Sequence, residues 1–119
     1  MDALKSLRTE LAAFATERDW DQFHTPKNLA MALSGEAGEL LERFQWLTPE
    51  QSERKALSPE ALKAIEEEMA DVLLYLVRLA DRLNVDLETV AQAKLKRNAE
   101  KYPVSEAKGN AVKYSRRSE

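Results

Sequence analysis

Two short acidic segments place carboxylates three residues apart on stretches that otherwise carry core-type apolar residues. The first pair is Glu36 and Glu39, and the second is Glu68 and Asp71. Residues three apart share one face of an α-helix, so each pair should project from one side of its helix. Four carboxylates converging between two helices would repel one another strongly unless cations held them. The pattern therefore predicts a magnesium site between helices, which indicates phosphate chemistry.

The surroundings of these acids distinguish them from ordinary surface charge. Glu36 and Glu68 each have apolar residues at helical neighbour positions: Ala32, Leu33 and Leu40 for the first, and Ala64, Ile65 and Val72 for the second. An unpaired acid in such a stripe costs about several kcal/mol. One histidine and no cysteine in the chain favour a hard ion over zinc or copper. Gly35 and Gly38 leave room for either a bulky ligand or a closely packed helix, and the sequence leaves both open.

The helices that position these acids can be read from the apolar periodicity. Apolar residues repeat at intervals of three and four, and hairpin signals are absent, so we predict an all-α fold. Four main helices are expected, at about residues 2–17, 26–46, 59–83 and 87–102. Thr25 and Ser58 are the expected N-caps of the second and third, each with proline next. Thr48 predicts a further short helix or turn.

Long helices joined by short connections indicate a four-helix bundle. The third helix is apolar around most of its circumference beyond Ala70, so we expect neighbouring subunits to cover it and the chain to oligomerise through its helices. One domain should span residues 1–103, followed by a flexible polar tail over residues 104–119.

Composition limits the range of functions. The chain has 119 residues, which fits one small domain. Its net charge of −3, with both signs mixed along the chain, argues against nucleic acid as the main partner. The first residues lack the apolar run of a signal peptide, and no stretch is apolar enough to span a membrane, so we expect a cytoplasmic protein with no membrane partner.

Several segments together resemble the MazG-like all-α nucleoside triphosphate pyrophosphohydrolases, and within them the small dCTP pyrophosphatases. The signature of that family is E-x-x-E on one helix and E-x-x-D on the next, as at residues 36–39 and 68–71. The other segments that carry the resemblance keep its order and spacing: residues 17–20, 23–29, 35–40, 44–46, 71–75 and 101–103. The resemblance covers roughly residues 3–103.

The resemblance implies a nucleoside triphosphate diphosphatase. It would hydrolyse dCTP or a modified dCTP to the monophosphate and pyrophosphate, and so clear unwanted nucleotides from the pool. The resemblance gives Glu36, Glu39, Glu68 and Asp71 as ligands of Mg²⁺, with water attacking the α-phosphorus. Glu39 is our choice for the residue that takes a proton from that water. A homodimer or homotetramer is implied as well.

The resemblance also implies where the nucleotide binds. The base pocket of dCTP-hydrolysing relatives uses a loop and two further positions, which match here Trp20, Asp21, Gln22, Phe23, His24, Trp46 and Tyr75. Phosphate contacts are implied for the fourth helix, at Asn98, Lys101 and Tyr102. From the residues alone, Trp20 and Phe23 could instead anchor the loop to the core. Lys94, on the same helix as the implied phosphate contacts, could belong to a solvated basic face.

One position departs from the pattern of the dCTP pyrophosphatases. Vertebrate dCTP enzymes carry a base-contacting histidine where this chain has Leu11, which leaves a broader pyrimidine or modified-nucleotide preference open. The first alternative is a dUTP-directed or general triphosphate pyrophosphohydrolase of the same superfamily. The second is a non-catalytic helical dimerisation module, in which the acids would serve as surface or interface charge.

Overall fold

A computed structural model describes residues 2–116, and this range consists of helices and turns without a β-strand. The all-α prediction is therefore confirmed. The helices are α1 (Ala3–Glu17), α2 (Pro26–Glu42), α3 (Pro59–Arg82), α4 (Leu87–Lys101) and the single turn α5 (Val104–Ala107). Short 3₁₀ segments lie at Asp21–Phe23, Arg54–Ala56 and Tyr114–Arg116. None of the described helices is long and apolar enough to cross a membrane.

Each of the four longer helices begins at a side chain that accepts a hydrogen bond from its own first turn. The caps are Asp2, Thr25, Ser58 and Asp86. Such caps contribute about 1 kcal/mol each, because they satisfy backbone N–H groups that have no partner within the helix. The predicted caps Thr25 and Ser58 are confirmed, with Pro26 and Pro59 following them in the first turn.

The helix predicted over residues 26–46 is shorter in the structure, because α2 ends at Glu42. The backbone N–H groups of Arg43 and Phe44 bond to carbonyls three residues back, which tightens the chain into turns. Trp46, in the predicted last turn, is 87% exposed. Pro49 disfavours helical geometry at Thr48. Thr48 and Gln51 instead exchange side-chain-to-backbone hydrogen bonds of 3.2 and 2.9 Å around the expected turn.

The part of the chain up to Val85 forms one compact unit, in which α3 packs against both α1 and α2. Its buried apolar side chains come from all three helices: Ala15, Leu29, Ile65, Val77 and Ala80. α3 also keeps the apolar side chains of Met69, Leu73 and Leu76 exposed, and Leu83 just beyond its end is exposed as well. The contacts within this unit thus fix α3 on two sides and leave another apolar surface of it uncovered.

The second unit begins at Asp86 and contains α4 and α5. Within it, the rings of Tyr102 and Tyr114 meet edge to face at 5.9 Å, and Tyr102 Oη accepts a hydrogen bond of 3.2 Å from the Tyr114 N–H. Lys101 Nζ lies 4.9 Å from the centre of the Tyr114 ring. Part of the predicted tail thus contacts the end of α4. Its flexibility stays a prediction, and residues 117–119 lie outside the described residues.

Candidate functional site

Three carboxylates meet where α2 packs against α3. One oxygen each from Glu36, Glu39 and Glu68 lie within 4.8 Å of one another. The three-residue spacing puts the first two on one face of α2, and the packing of the helices brings the third from α3. We refer to these three residues as the carboxylate cluster. It contains three of the four acids that the sequence singled out.

The carboxylate cluster carries more negative charge than the described residues around it can compensate. Glu36 Oε2 and Glu68 Oε2 are buried, and neither has a hydrogen-bond partner among the described residues. The pKa of Glu39 is raised from 4.5 to about 7. The main cause is its hydrogen bonding to Glu36 and the negative charge of Glu36, and Glu68 acts in the same two ways. Buried oxygens without partners and repelling acids are the features that a divalent cation would resolve. An all-oxygen set suits a hard ion such as Mg²⁺.

One positive charge reaches the edge of this cluster. Arg43 Nη2 lies 3.3 Å from Glu68 Oε1, while the Arg43 side chain remains half exposed. This ion pair uses Glu68 Oε1 and leaves Glu68 Oε2 and Glu36 Oε2 without hydrogen-bond partners among the described residues. The sequence analysis missed Arg43, although it follows Glu36 by seven residues, which is the spacing of one helix face.

Asp71, the fourth predicted ligand, stands outside the carboxylate cluster. It is exposed, follows Glu68 by one turn of α3, and lines a neighbouring cavity. Of the four predicted ligands, Asp71 is the one that lines this cavity. Its role as a metal ligand stays a prediction.

The neighbouring cavity has a volume of about 380 Å³ and lies between α1, α3 and the loop that follows α1. We call it the α1–α3 cavity. Aromatic and aliphatic side chains form most of its wall, with a few polar groups among them: Leu7, Glu10, Leu11, Phe14, Trp20, His24, Asp71, Leu74, Tyr75 and Arg78. An apolar wall with a small number of polar groups is typical of small-molecule sites of this size. The cavity can take one flat ring system.

The predicted base-pocket residues divide into two groups. Trp20, His24 and Tyr75 line the α1–α3 cavity. The Trp20 ring also meets Phe14 edge to face at 5.7 Å, so it both faces the cavity and holds the loop against α1.

The other predicted base-pocket residues do not line this cavity. Asp21 pairs with Arg78, and Gln22 Nε2 donates hydrogen bonds of 3.1 Å to both the carbonyl and a carboxylate oxygen of Asp19. Phe23 is exposed, as is Trp46. For Asp21 and Gln22 the structure shows contacts that shape the loop, and their predicted substrate contacts stay predictions.

The loop before α2 is held by a buried arginine that the sequence analysis missed. Arg78 has a side chain only 6% exposed. Its Nη2 donates to Asp21 Oδ1 at 2.6 Å, its Nε to His24 Nδ1 at 3.0 Å, and its Nη1 to Asp81 Oδ2 at 3.1 Å. A signal was available, because Arg78 is the one charged residue in the apolar run of residues 72–80. Buried charges of this kind need partners.

The same environment sets the protonation of His24. Burial lowers the pKa of His24 below its usual 6.5, the positive charges of Arg78 and Arg82 lower it further, and the charge of Asp21 opposes them. His24 is therefore a neutral imidazole at neutral pH.

The predicted phosphate-contacting residues lie near the end of α4, in the second unit. Asn98 and Lys101 belong to the last turn of that helix, and Tyr102 follows it. Their proposed contacts with phosphate stay predictions.

Comparisons with known proteins give the family of the chain. The profile of the MazG-like family matches residues 31–116. The chain is 47% identical to dCTP pyrophosphatase 1 of Bos taurus and 46% identical to dCTP pyrophosphatase 1 of Homo sapiens, in each case over 94% of this chain. It spans 66% of the length of each of these relatives. The crystal structure of a pyrophosphatase from Archaeoglobus fulgidus superposes with a TM-score of 0.78 and 38% identity, covering 87% of this chain and 94% of that one.

Proposed function

Since the chain belongs to the MazG-like family, we propose that it is a nucleoside triphosphate diphosphatase that hydrolyses dCTP or a modified dCTP. The products are the nucleoside monophosphate and pyrophosphate, and the role is nucleotide pool clean-up. The observation that carries the proposal is the carboxylate cluster with its two partnerless oxygens, one turn of α3 from the α1–α3 cavity. The names of the mammalian and archaeal relatives support the same reaction class.

Mg²⁺ is the proposed cofactor. Glu36, Glu39 and Glu68 would hold it through carboxylate oxygens, and Asp71 would add a ligand from the next turn of α3. When bound, the ion neutralises charge on the phosphates and lowers the pKa of coordinated water. Glu39 is the proposed acceptor of the proton from the attacking water, since it is the exposed member of the carboxylate cluster.

The α1–α3 cavity is the proposed base site. The faces of Trp20 and Tyr75 suit stacking on a pyrimidine, and His24 supplies a polar contact. Leu11 contributes an aliphatic wall that cannot form a hydrogen bond with the base. This wall favours a second candidate, in which the enzyme accepts uracil as well as cytosine nucleotides or acts on triphosphates generally. Competition kinetics between dCTP and dUTP separate the two.

The proposal includes an assembly of two or four chains, built as a four-helix-bundle unit that associates through its helices. The exposed apolar side chains of α3 and the 87% exposed Trp46 support it, because association would remove them from water. Asn98, Lys101 and Tyr102 are the proposed phosphate contacts. The cytoplasmic location expected from the sequence stays a prediction.

The proposed activity is tested by incubating the purified protein with dCTP, 5-methyl-dCTP, dUTP, dTTP and ATP, with Mg²⁺ or with EDTA, and measuring pyrophosphate release. We expect release from at least one pyrimidine triphosphate, only in the presence of Mg²⁺. No release from any nucleotide would contradict the proposal. A dimerisation module without catalysis would also show no effect of Mg²⁺ on thermal stability.

A further inference from the structure

The hydrogen bond between Arg78 and His24 fixes the tautomer of a histidine that lines the α1–α3 cavity. Arg78 Nε donates to His24 Nδ1 at 3.0 Å. A guanidinium has donors only, so Nδ1 must accept and therefore carries no hydrogen. In a neutral imidazole the remaining proton then sits on Nε2. His24 is thereby held as the tautomer whose free nitrogen is a donor.

Arg78 is itself held firmly enough to impose this state. Asp21 and Asp81 bind two other nitrogens of its guanidinium, at 2.6 and 3.1 Å. These carboxylates are anchored in turn, since Thr16 Oγ1 donates to Asp21 Oδ2 at 3.2 Å and Arg8 Nε lies 4.0 Å from Asp81 Oδ1. A charged group with this many partners in a buried position has little freedom to turn away.

The free nitrogen of His24 is available to a ligand. Both His24 and Arg78 line the α1–α3 cavity, and Nε2 has no hydrogen-bond partner among residues 2–116. The Trp20 ring lies edge to face against the imidazole at 6.2 Å, which limits rotation of the ring. A donor with a fixed position selects ligands that place an acceptor opposite it.

We propose that Arg78 is a positioning residue, which holds His24 as an obligatory donor to the ring 2-carbonyl of a pyrimidine bound in the α1–α3 cavity. The pyrimidine rests on the proposed function. The 2-carbonyl is shared by cytosine, uracil and thymine, so this contact contributes to pyrimidine affinity and does not separate these bases. The charged groups around His24 are Arg78, Asp21 and Arg82, with Glu10 and Asp71 also lining the cavity. Burial and the two arginine charges outweigh the charge of Asp21 and lower the pKa of His24, so the imidazole is neutral at neutral pH.

The tautomer can be measured directly, because His24 is the only histidine in the chain. A long-range ¹H–¹⁵N correlation spectrum of the labelled protein at neutral pH needs no further assignment. We expect one set of signals, with Nε2 protonated and Nδ1 in the range of an unprotonated acceptor. Signals from the Nδ1–H tautomer, or the averaged signals of a free imidazole, would overturn the inference.

Two arginine variants separate the hydrogen bond from the charge. Arg78→Met removes the donor to Nδ1, and we expect averaged tautomer signals and a loss of dCMP and dUMP affinity of about 2- to 10-fold for each. Arg82→Met is the matched control, since Arg82 lies one turn further along α3 and its charge also acts on His24 without a hydrogen bond to it. It should keep both the tautomer and the affinities. An Arg78→Met protein with wild-type signals, or with a loss confined to one of the two nucleotides, would overturn the inference.

A third variant decides the matter if Arg78→Met does not fold. His24→Ala truncates an only partly buried side chain, and it should weaken dCMP and dUMP by the same 2- to 10-fold or so. Unchanged affinity would overturn the inference. The proposed function fails separately: a folded wild-type protein that binds neither dCMP nor dUMP contradicts the pyrimidine site, whereas one that binds both with an Nδ1–H tautomer contradicts the positioning role alone.

Discussion

The carboxylate cluster and the Arg78 site are both ionic sites built on α3, and they differ in how completely this chain supplies their partners. Arg78 donates to two carboxylates and one neutral imidazole, so its charge has acidic partners and each of its three nitrogens donates a hydrogen bond. The carboxylate cluster has two buried oxygens without partners and a single arginine at its edge. The difference shows where each site finds its partners: Arg78 finds them within the chain, whereas the carboxylate cluster needs a partner from outside it.

The largest expected effect comes from neutralising the carboxylate cluster. Glu36→Gln or Glu68→Gln replaces a carboxylate by an amide of equal size, and we expect turnover to fall by more than about 100-fold because a proposed metal ligand is lost. Circular dichroism should show unchanged helix content. Glu42→Gln, on the same helix and outside the cluster, is the matched control and should keep its activity. Wild-type turnover in either cluster variant would remove that residue from the site.

Removing Arg78 should lower the stability of the fold. Arg78→Met leaves Asp21 and Asp81 without their buried partner, and we expect a loss of about 1–3 kcal/mol in the free energy of unfolding. The two carboxylates are 45% and 29% exposed, so water can hydrate them and the loss stays below that of a fully buried pair. Urea denaturation of the metal-free protein measures the change. An unchanged midpoint would show that the loop does not depend on Arg78.

The carboxylate cluster should also give the metal-free protein a characteristic pH dependence. The folded state raises the pKa of Glu39 from 4.5 to about 7, so between these values the folded protein binds more protons than the unfolded chain. Stability must therefore fall as the pH rises through this window. Thermal melts in EDTA should show the fall, and melts in Mg²⁺ should reduce it because the ion replaces the proton. Glu39→Gln should flatten the EDTA curve, and a slope equal to that of the wild type would contradict the assignment.

The smallest expected effect concerns the arginine at the edge of the cluster. If Glu68 holds Mg²⁺ as proposed, Arg43 would compete with the ion, so Arg43→Met should tighten Mg²⁺ binding by about 2- to 5-fold, the range of an exposed ion pair. Isothermal titration calorimetry of the nucleotide-free protein measures this. Arg54→Met removes the same charge away from the cluster and should leave the affinity close to that of the wild type. Weaker binding in the Arg43 variant would instead make Arg43 part of the metal site.

Local pattern was enough to predict the parts of the molecule that depend on neighbours in sequence. The three-residue spacing of Glu36 and Glu39 fixes their common face whatever surrounds the helix. Thr25 and Ser58 cap their helices through bonds to their own first turns, so a short window of sequence contains all the information. These features follow from helix geometry alone.

Tertiary contact decided the rest. Arg78 forms hydrogen bonds with His24 and Asp21, which precede it by 54 and 57 positions in the sequence. No periodicity within α3 shows which loop will contact Arg78. The sequence analysis did not predict that α2 ends at Glu42, because Phe44 and Trp46 continue the apolar pattern, yet the Trp46 side chain is exposed in the structure. The placement of Asp71 on the cavity wall likewise depends on where α1 and the loop lie, which spacing cannot show.

α3 carries Glu68, Asp71, Tyr75 and Arg78 on one face, at intervals of three, four and three residues. From Glu68 to Tyr75 the helix rises about 10 Å, and a helix can neither stretch nor shorten without breaking its hydrogen bonds. The helix thus fixes the distance that a ligand must span between the carboxylate cluster and the α1–α3 cavity. One residue inserted between positions 68 and 75 would rotate Tyr75 by about 100° around the helix axis relative to Glu68. A molecule of fixed length could then reach only one of them.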